Sequence, residues 1–409
     1  MVYLSGSIIN AIVSFFALAV FTEFLTTDDF GYFTIFKIYS QIVTIVIIFN
    51  GFQLLLQKHY TQADDGDGFH YTLFILCSII AFVIVLLSWI FDGVLGFLVQ
   101  IPAKWIIPFT LYGWFNFCQL YWLHIQQAQQ KALRYVAIQM FSSIGSIGIG
   151  LFFVIQLGYN WEGRFYGAVI SAILVIIIFL IFMLGRRKIP EPKFDISHAK
   201  KILVFGLPLF PQTLGAWIVS SIDRIYINHM EGISKTGIYG LAFSVASVLI
   251  MIIAAFNRSF MPKLFAVLNE NDEKSKKRAV MMILKMDLIY FFLAFVGVIV
   301  APFFFSLFIH ERFISSVSAL NWLLPAFALF GITQNRLNII IFSKQTKAAS
   351  WSTDSLAAII NLALCPVMIY YWGIVGAAQS TFISYLCAAL MSWVAAQRVY
   401  QLPWFCFFR

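Results

Sequence analysis

The 409-residue chain is poor in charge. Only 11% of its residues are Asp, Glu, Lys or Arg, against about 25% in soluble domains. Hydrophobic residues make up 61%, and a globule of this size still leaves about a quarter of its unfolded surface exposed. Water cannot host that much apolar surface. A soluble enzyme, a nucleic-acid-binding domain and a disordered regulator are thereby excluded. The formal charge of +9 matters by position more than by sum. Cysteine is scarce as well. Cys77, Cys118, Cys365, Cys387 and Cys406 lie in or beside apolar stretches, with no CxxC and no His/Cys cluster. They read as small buried hydrophobes, with no disulfide framework and no metal site. A Walker motif, HExxH and GxSxG are all absent, so no hydrolytic, metal or cofactor constellation is expected. The string Asp64-Asp65-Gly66-Asp67-Gly68 has DxD spacing in a loop too short for an EF-hand, and reads as a solvated turn.

What the chain does have is apolar runs. A helix crosses hydrocarbon in about 20 residues. Twelve segments reach that length: 4–25, 33–56, 71–91, 105–127, 135–157, 163–184, 203–228, 237–260, 281–308, 316–342, 351–371 and 374–396. The longest turns between them are 185–202 and 261–280. With the N-terminus on the cytoplasmic side, the turns of that side, the central loop and the tail hold 18 of the 27 basic residues. The opposite side holds four: Lys104, Arg164, Lys235 and Arg312. Its longest turn, 92–104, carries one acid, Asp92. This asymmetry follows the positive-inside rule and predicts both termini in the cytoplasm of a multi-pass protein of the bacterial inner membrane. No basic n-region precedes the first segment, so no cleavable signal peptide is expected.

The two halves look related. Asp29-Phe30-Gly31-Tyr32 enters one segment that ends near Phe49-Asn50; Thr236-Gly237-Ile238-Tyr239 enters another that ends near Phe256-Asn257. Gln129-Gln130-Lys131-Ala132 is echoed by Gln345-Thr346-Lys347-Ala348, and Tyr166-Gly167-Ala168-Val169 by Val375-Gly376-Ala377-Ala378. The offsets are 207, 216 and 209. Two six-helix lobes are predicted, 1–184 and 203–400, with a basic cytoplasmic linker at 185–202 and a cytoplasmic tail at 401–409. Six is even, so the repeat is parallel. Chance similarity among apolar helices is the competing reading.

Polar groups inside the apolar runs are the candidate site, because charge at membrane depth is expensive and faces a cavity or a partner. The runs contain Lys37 and Gln41, Asp223 and Arg224, Asn257 and Arg258, Lys285 and Asp287, then Gln334, Asn335, Arg336 and Asn338, and Asp354 and Asn361. Lys37, Arg224, Arg258 and Arg336 are candidates for binding an anion. For Lys37 and Arg258, snorkelling to an interface is the other reading. Adjacent helical residues do not face each other, so Asp223 and Arg224 are expected to find partners on other helices. Asp223 and Asp354 are candidates for ion coupling, although Asp354 also suits a helix N-terminus. Tyr112, Asn116, Gln119, Leu123, Gln126 or Gln127, and Gln130 recur at helical spacing as one amide and aromatic face. Such a face can meet sugar hydroxyls, or bond neighbouring helices. Ser142, Ser143, Gly145, Ser146, Gly148 and Gly150 read as a close-packing face.

Several of these strings resemble a known family. Gly6-Ser7-Ile8-Ile9-Asn10-Ala11, Asp28-Asp29-Phe30-Gly31-Tyr32, Gly206-Leu207-Pro208-Leu209, Asp223-Arg224, Gly237-Ile238-Tyr239 and Phe256-Asn257 are similar to those of the O-antigen and polysaccharide-repeat flippases. Those flippases share a superfamily with multidrug (MATE) exporters and lipid II flippases. The resemblance covers nearly the whole chain. It implies an all-α integral membrane protein with twelve transmembrane helices in two lobes (the MATE-like fold), a cationic cavity and alternating access. The implied cargo is an undecaprenyl-diphosphate-linked oligosaccharide, an O-antigen or capsule repeat unit. The transporter would be a monomer without a cofactor, in contact with membrane lipid, a polysaccharide polymerase and chain-length machinery. Coupling to H+ or Na+ is also implied. Basic side chains suit a diphosphate in a low-dielectric cleft. Where the family often carries an arginine, this chain has Gln127, so the phosphate role falls on Lys37, Arg224 and Arg336. Two other readings compete. An ion-coupled multidrug or metabolite antiporter on the same fold would have an acidic cavity; a membrane enzyme would need a sizeable outer loop or an external carboxylate pair.

Overall fold

In lipid every backbone N–H and C=O must be satisfied within the protein, so long apolar runs fold as helices. The structure is a computed structural model and describes residues 2–60, 68–184, 194–270, 272–343 and 354–404. Asp64 to Asp67, linker residues 185–193, Lys344, Lys347 and Cys406 lie outside them. Among the described residues every regular element is helical. The helices are α1 (Val2–Phe24), α2 (Thr27–Ile48), α3 (Gly51–Tyr60), α4 (Gly68–Ile90), α5 (Asp92–Val99), α6 (Ile106–Ala128), α7 (Ala132–Leu151) and α8 (Trp161–Leu184). They continue with α9 (Ile196–Glu231), α10 (Ile233–Glu270), α11 (Glu273–Phe308), α12 (Ser316–Phe342) and α13 (Asp354–Val399).

Among the described residues, nine helices are long and apolar enough to cross a membrane; a bent pair makes a tenth. The chain is thus a multi-pass membrane protein, and the described part of each predicted segment is mainly helical. One segment and one turn differ from expectation, the segment being 33–56, which is broken at Phe49–Asn50 into α2 and α3; α13 by contrast divides where two segments were predicted. At about 1.5 Å per residue, α13 would run roughly 70 Å, more than twice the hydrocarbon thickness. It breaks at Gly373 (φ 56°, ψ −138°), a conformation that disfavours any Cβ. Exposed Tyr370, Tyr371 and Trp372 precede the break, as suits a membrane–water interface. The second difference is the predicted turn 92–104. It is largely the apolar helix α5, with Val94, Phe97 and Leu98 exposed, joined to α6 at a 103° bend. An apolar segment at the membrane boundary satisfies its backbone as a helix better than as a loop.

The chain forms two compact units, Met1–Leu214 and Gly215–Arg409, divided within α9. In unit 1, two resemblance motifs prove to be fasteners. Thr26 caps α2, and its N–H and hydroxyl donate to Asp29 Oδ2 at 2.9 and 2.6 Å. Oδ1 of the same carboxylate accepts the Trp161 N–H of α8 at 3.3 Å. At its other end α2 stops in the left-handed residues Phe49 and Asn50. There Thr213 Oγ1 donates to Asn50 Oδ1 at 2.8 Å, and Asn50 Nδ2 donates to the Gly206 carbonyl at 3.4 Å. A Cβ at Gly206 would overlap the Phe49 carbonyl, so Gly206-Leu207-Pro208 is a close-approach motif. α7 meets α8 across the small face read from the sequence, with Ser171 Oγ donating to the Ser142 carbonyl at 2.7 Å.

In unit 2, α12 packs against α10, α11 and α13. Its contact face mixes small and large side chains: Ala319, Ala326 and Ala328 are fully buried beside Leu320, Leu323 and Ile339, as are Ala242, Ala246 and Ala279 on the helices around it. Leu288, Phe292, Phe295 and Phe303 lie exposed along α11. The buried alanines let the helices approach closely, as in helices that associate by packing in lipid.

Candidate functional site

Unit 2 buries two ion pairs. On α9, Asp223 is wholly buried and Arg224 nearly so. Asp223 Oδ1 accepts from the Arg224 backbone N–H at 2.8 Å and from its Nε at 3.2 Å. Tyr239 of α10 donates its hydroxyl to Oδ2 at 2.5 Å. The guanidinium lies 3.8 Å from the Phe243 ring centroid. The expectation that both residues find partners on other helices therefore needs correction. Tyr239 and Phe243 do come from α10, but the ion pair is between the neighbours themselves, because the arginine stem is long enough to fold back onto the preceding carboxylate.

The second pair joins α11 and α12. Arg336 Nη1 donates to Asp287 Oδ2 at 2.5 Å and to the Ile332 carbonyl at 3.3 Å. Asn335 Nδ2 donates to Asp287 Oδ1 at 2.8 Å. The Trp404 ring lies 5.4 Å from the Arg336 guanidinium carbon. One turn along, Asn338 Nδ2 donates to Asn257 Oδ1 at 2.7 Å. Arg258, beside Asn257, is exposed and donates to its own helix at Ala254. Asp354 begins α13, and its side chain lies outside what the structure describes.

The cations of unit 1 are arranged differently. Lys37 is exposed, with Nζ 6.0 Å from the centroid of Phe33. Arg164 approaches the same ring. The sequence reading counts it among the basic residues of the opposite side, at the start of the predicted segment 163–184; the structure places it in the first turn of α8. Its guanidinium carbon lies 3.8 Å from the Phe33 ring centroid, 4.3 Å from that of Phe21 and 5.0 Å from that of Phe30. The Asp29–Trp161 bond holds the starts of α2 and α8 together and so delivers Arg164 to this box. Arg164 Nη1 is buried and has no partner. The sequence reading missed this residue. Its one local signal is aromatic density: Tyr159, Trp161, Phe165 and Tyr166 surround it in the chain.

The amide face of α6 is largely occupied by helix–helix bonds. Asn116 Nδ2 donates to Thr44 Oγ1 at 3.2 Å, and Gln119 Nε2 to Ser142 Oγ at 2.6 Å. Tyr112 is half-buried against Phe36, ring centroids 4.9 Å apart. Gln127 pairs with His124.

Residues 1–267 match the model of a family described as polysaccharide biosynthesis protein. The Lsg locus protein 1 of Haemophilus influenzae is 23% identical over 305 residues, 71% of this chain and 70% of its own. A second membrane protein of that organism is 28% identical over 163 residues, 38% of this chain and 39% of its own. Among solved structures, an inward-facing multidrug resistance MATE family transporter of the MOP superfamily has a TM-score of 0.72 at 12% identity. That match covers 94% of this chain and 93% of the other. The lipid II flippase MurJ, in an inward closed conformation, has a TM-score of 0.70 at 15% identity, covering 97% and 87%. These structural matches establish a MATE-like fold.

Proposed function

The chain belongs to the polysaccharide biosynthesis protein family, and from that premise we propose that it is a flippase for a lipid-linked oligosaccharide. The cargo is an undecaprenyl-diphosphate-linked repeat unit of O-antigen or capsule. It passes from the cytoplasmic to the outer leaflet of the cytoplasmic membrane by alternating access between two six-helix lobes. Both termini face the cytoplasm. The observation that carries this reading is the family match over residues 1–267.

The chemistry agrees with it. A diphosphate bearing sugars cannot cross hydrocarbon unaided, and guanidinium groups bind phosphate through strong, charge-assisted hydrogen bonds. In this reading Lys37, Arg224, Arg258 and Arg336 neutralise the diphosphate. Arg224 and Arg336 do so by exchanging their carboxylates for phosphate. Asp223, and Asp354 at the start of α13, carry the coupling ion, H+ or Na+. Tyr112 and Gln127, with Asn116 and Gln119 beside them, meet the sugars. The second reading, a multidrug antiporter, has the fold likeness to MATE in its favour. A cationic drug needs an uncompensated carboxylate, however, and both buried acids of α9 and α11 already hold an arginine.

The test is transport in vesicles. The full-length protein is reconstituted with a polyprenyl-diphosphate oligosaccharide, and the sugar's exposure to an external glycosidase is followed. Protein-dependent exposure, reduced at least tenfold in Arg224→Ala and Arg336→Ala, supports the reading. Efflux of a cationic dye without any movement of the lipid-linked sugar would replace it with the antiporter.

A further inference from the structure

Residues 401–409 read from the sequence as a tail, yet the described part of them is docked. α13 ends at Val399, short of Pro403, which cannot continue a helix and pushes Leu402 before it out of helical backbone. The chain then doubles back along α13. Gln397 Oε1 accepts from the Leu402 backbone N–H at 3.1 Å and from the Trp404 indole Nε1–H at 2.7 Å. The Trp404 ring lies 6.3 Å from that of Trp393 and 5.4 Å from the Arg336 guanidinium carbon. Before the turn, Tyr400 donates its hydroxyl to the Leu268 carbonyl of α10 at 3.1 Å. Leu402 is buried among Leu268, Ile283 and Ile339, one from each of α10, α11 and α12. We propose that residues 400–404 are a latch. Docked, it closes one end of unit 2 over the Asp287–Arg336 pair; lifted, it opens that pair to water and solutes. The proposal concerns the pair itself and does not rest on the flippase reading.

Three observations support it. First, the cover is in place. Arg336 stands six residues before the end of α12 at Phe342, and Trp404 spans that distance to its guanidinium. Second, the hold is light. One side-chain oxygen, Gln397 Oε1, carries both bonds that fold the strap back, so a single amide releases them together. Trp404 is half-buried and meets Arg336 through its ring, a cation–π contact without an ion pair. Third, what lies beneath gains from opening. Arg336 Nε, Asn335 Oδ1 and the Tyr290 hydroxyl are buried without a hydrogen-bond partner. Asn335 and Arg336 both donate to Asp287. Tyr290 stands one turn along α11 from Asp287, and a Cβ at Gly331, one turn before Asn335, would overlap its ring. A donor, an acceptor and a hydroxyl are thus gathered where α11 meets α12. Unpaired buried polar atoms carry a desolvation cost. Water admitted by a lifted latch satisfies them, and this offsets the lost burial of Leu402. A pair whose polar atoms were all satisfied would gain nothing from opening.

The experiment treats the full-length protein in phosphatidylcholine nanodiscs with phenylglyoxal and locates labelled arginines by peptide mapping. Arg224 is the internal reference, because it is buried in the same unit against Asp223 and Phe243. Local opening should raise Arg336 labelling about tenfold in Gln397→Leu and in Trp404→Ala, with Arg224 unchanged. Trp404→Phe keeps a ring and loses the Nε1 bond, so its rate should fall between those of Trp404→Ala and the wild type. Arg336 labelling within about twofold of wild type in both Gln397→Leu and Trp404→Ala overturns the latch. An equal rise at Arg224 also overturns it, since that reports general loosening. A variant too unstable to reconstitute leaves the decision to the wild type. There, hydrogen exchange at the Leu402 and Trp404 amides should be at least about tenfold slower than in an unstructured chain, yet faster than at residues 393–396 of α13. Exchange at the unstructured rate would mean no docked state, and protection equal to that of α13 would mean no opening; either overturns the proposal. No cargo enters the assay, so these outcomes leave the flippase reading intact.

Discussion

In unit 2, Arg224 and Arg336 each lie against a carboxylate that is itself held by a second donor, Tyr239 or Asn335. In unit 1, Arg164 lies among three phenylalanine rings. The difference separates two ways of keeping charge in an apolar bundle. A neutral, hydrogen-bonded pair fixes helices and offers little to an anion unless it opens. A cation stabilised only by ring faces keeps its field and its N–H groups. The pairs of unit 2 are therefore expected to dominate stability.

That division can be broken by measurement, and the largest effect belongs to the carboxylate of α11. Asp287→Ala strands Arg336 and should lower unfolding free energy by about 3–5 kcal/mol, seen as a drop in melting temperature in mild detergent. Adding Arg336→Met should recover most of the loss. Arg164→Met strands nothing; within the cation–π range its change should stay below about 2 kcal/mol, and a loss as large as that of Asp287→Ala would erase the contrast. Next comes Tyr239→Phe, which deletes the hydroxyl bonded to buried Asp223; about 1.5–3 kcal/mol is expected from the same melting assay. Gln119→Leu, which removes a single neutral bond between α6 and α7, should cost about 0.6 kcal/mol, and a larger loss would give the amide face of unit 1 a stabilising weight comparable to the pairs.

The smallest effect is one of pH, at the start of α11. Asp272 caps that helix through the Ser275 hydroxyl and backbone N–H, and these bonds hold its carboxyl below the ordinary value of 3.8. A depressed folded pKa gives stability that is fully present above the ordinary value and is lost as pH falls through the lower folded one. Protection of the first-turn amides of α11, taken relative to their intrinsic exchange rates, should fall below about pH 4, and Asp272→Asn should flatten that response. An equal acid response throughout unit 2 would instead implicate the buried pairs.

Much of this was readable before any coordinates. Length and hydropathy marked the long apolar helices among the described residues, because lipid leaves an apolar 20-residue run little choice but a helix; the shorter α5 reads from the sequence as a turn. Asp223, Arg224 and Arg336 stood out because charge inside such a run is rare. What stayed hidden was pairing across distance. Asp287 and Arg336 lie 49 residues apart in sequence, and nothing local in either helix names the other. Arg164 was hidden for a related reason. It stands three residues after the start of α8, where a sequence reading sees one of four opposite-side cations, and its ring contacts come from Phe21, Phe30 and Phe33 on two other helices. The α6 amides show the converse. Their spacing was visible, but spacing could not decide between sugars and neighbouring helices, and Thr44 and Ser142 have taken two of them.

With Leu288, Phe292, Phe295 and Phe303 along the outer flank of α11, unit 2 also carries bulk on the side that meets its surroundings. The surrounding amphiphiles therefore act as the outermost layer of the fold. Stripped of them, the exposed rings would gather molecules into clumps before the alanine seams part. A melting curve taken in a harsh, short-chain micelle would then report how long that coat survives, and thickness-matched lipid should raise the apparent transition more than a substitution at the seam can.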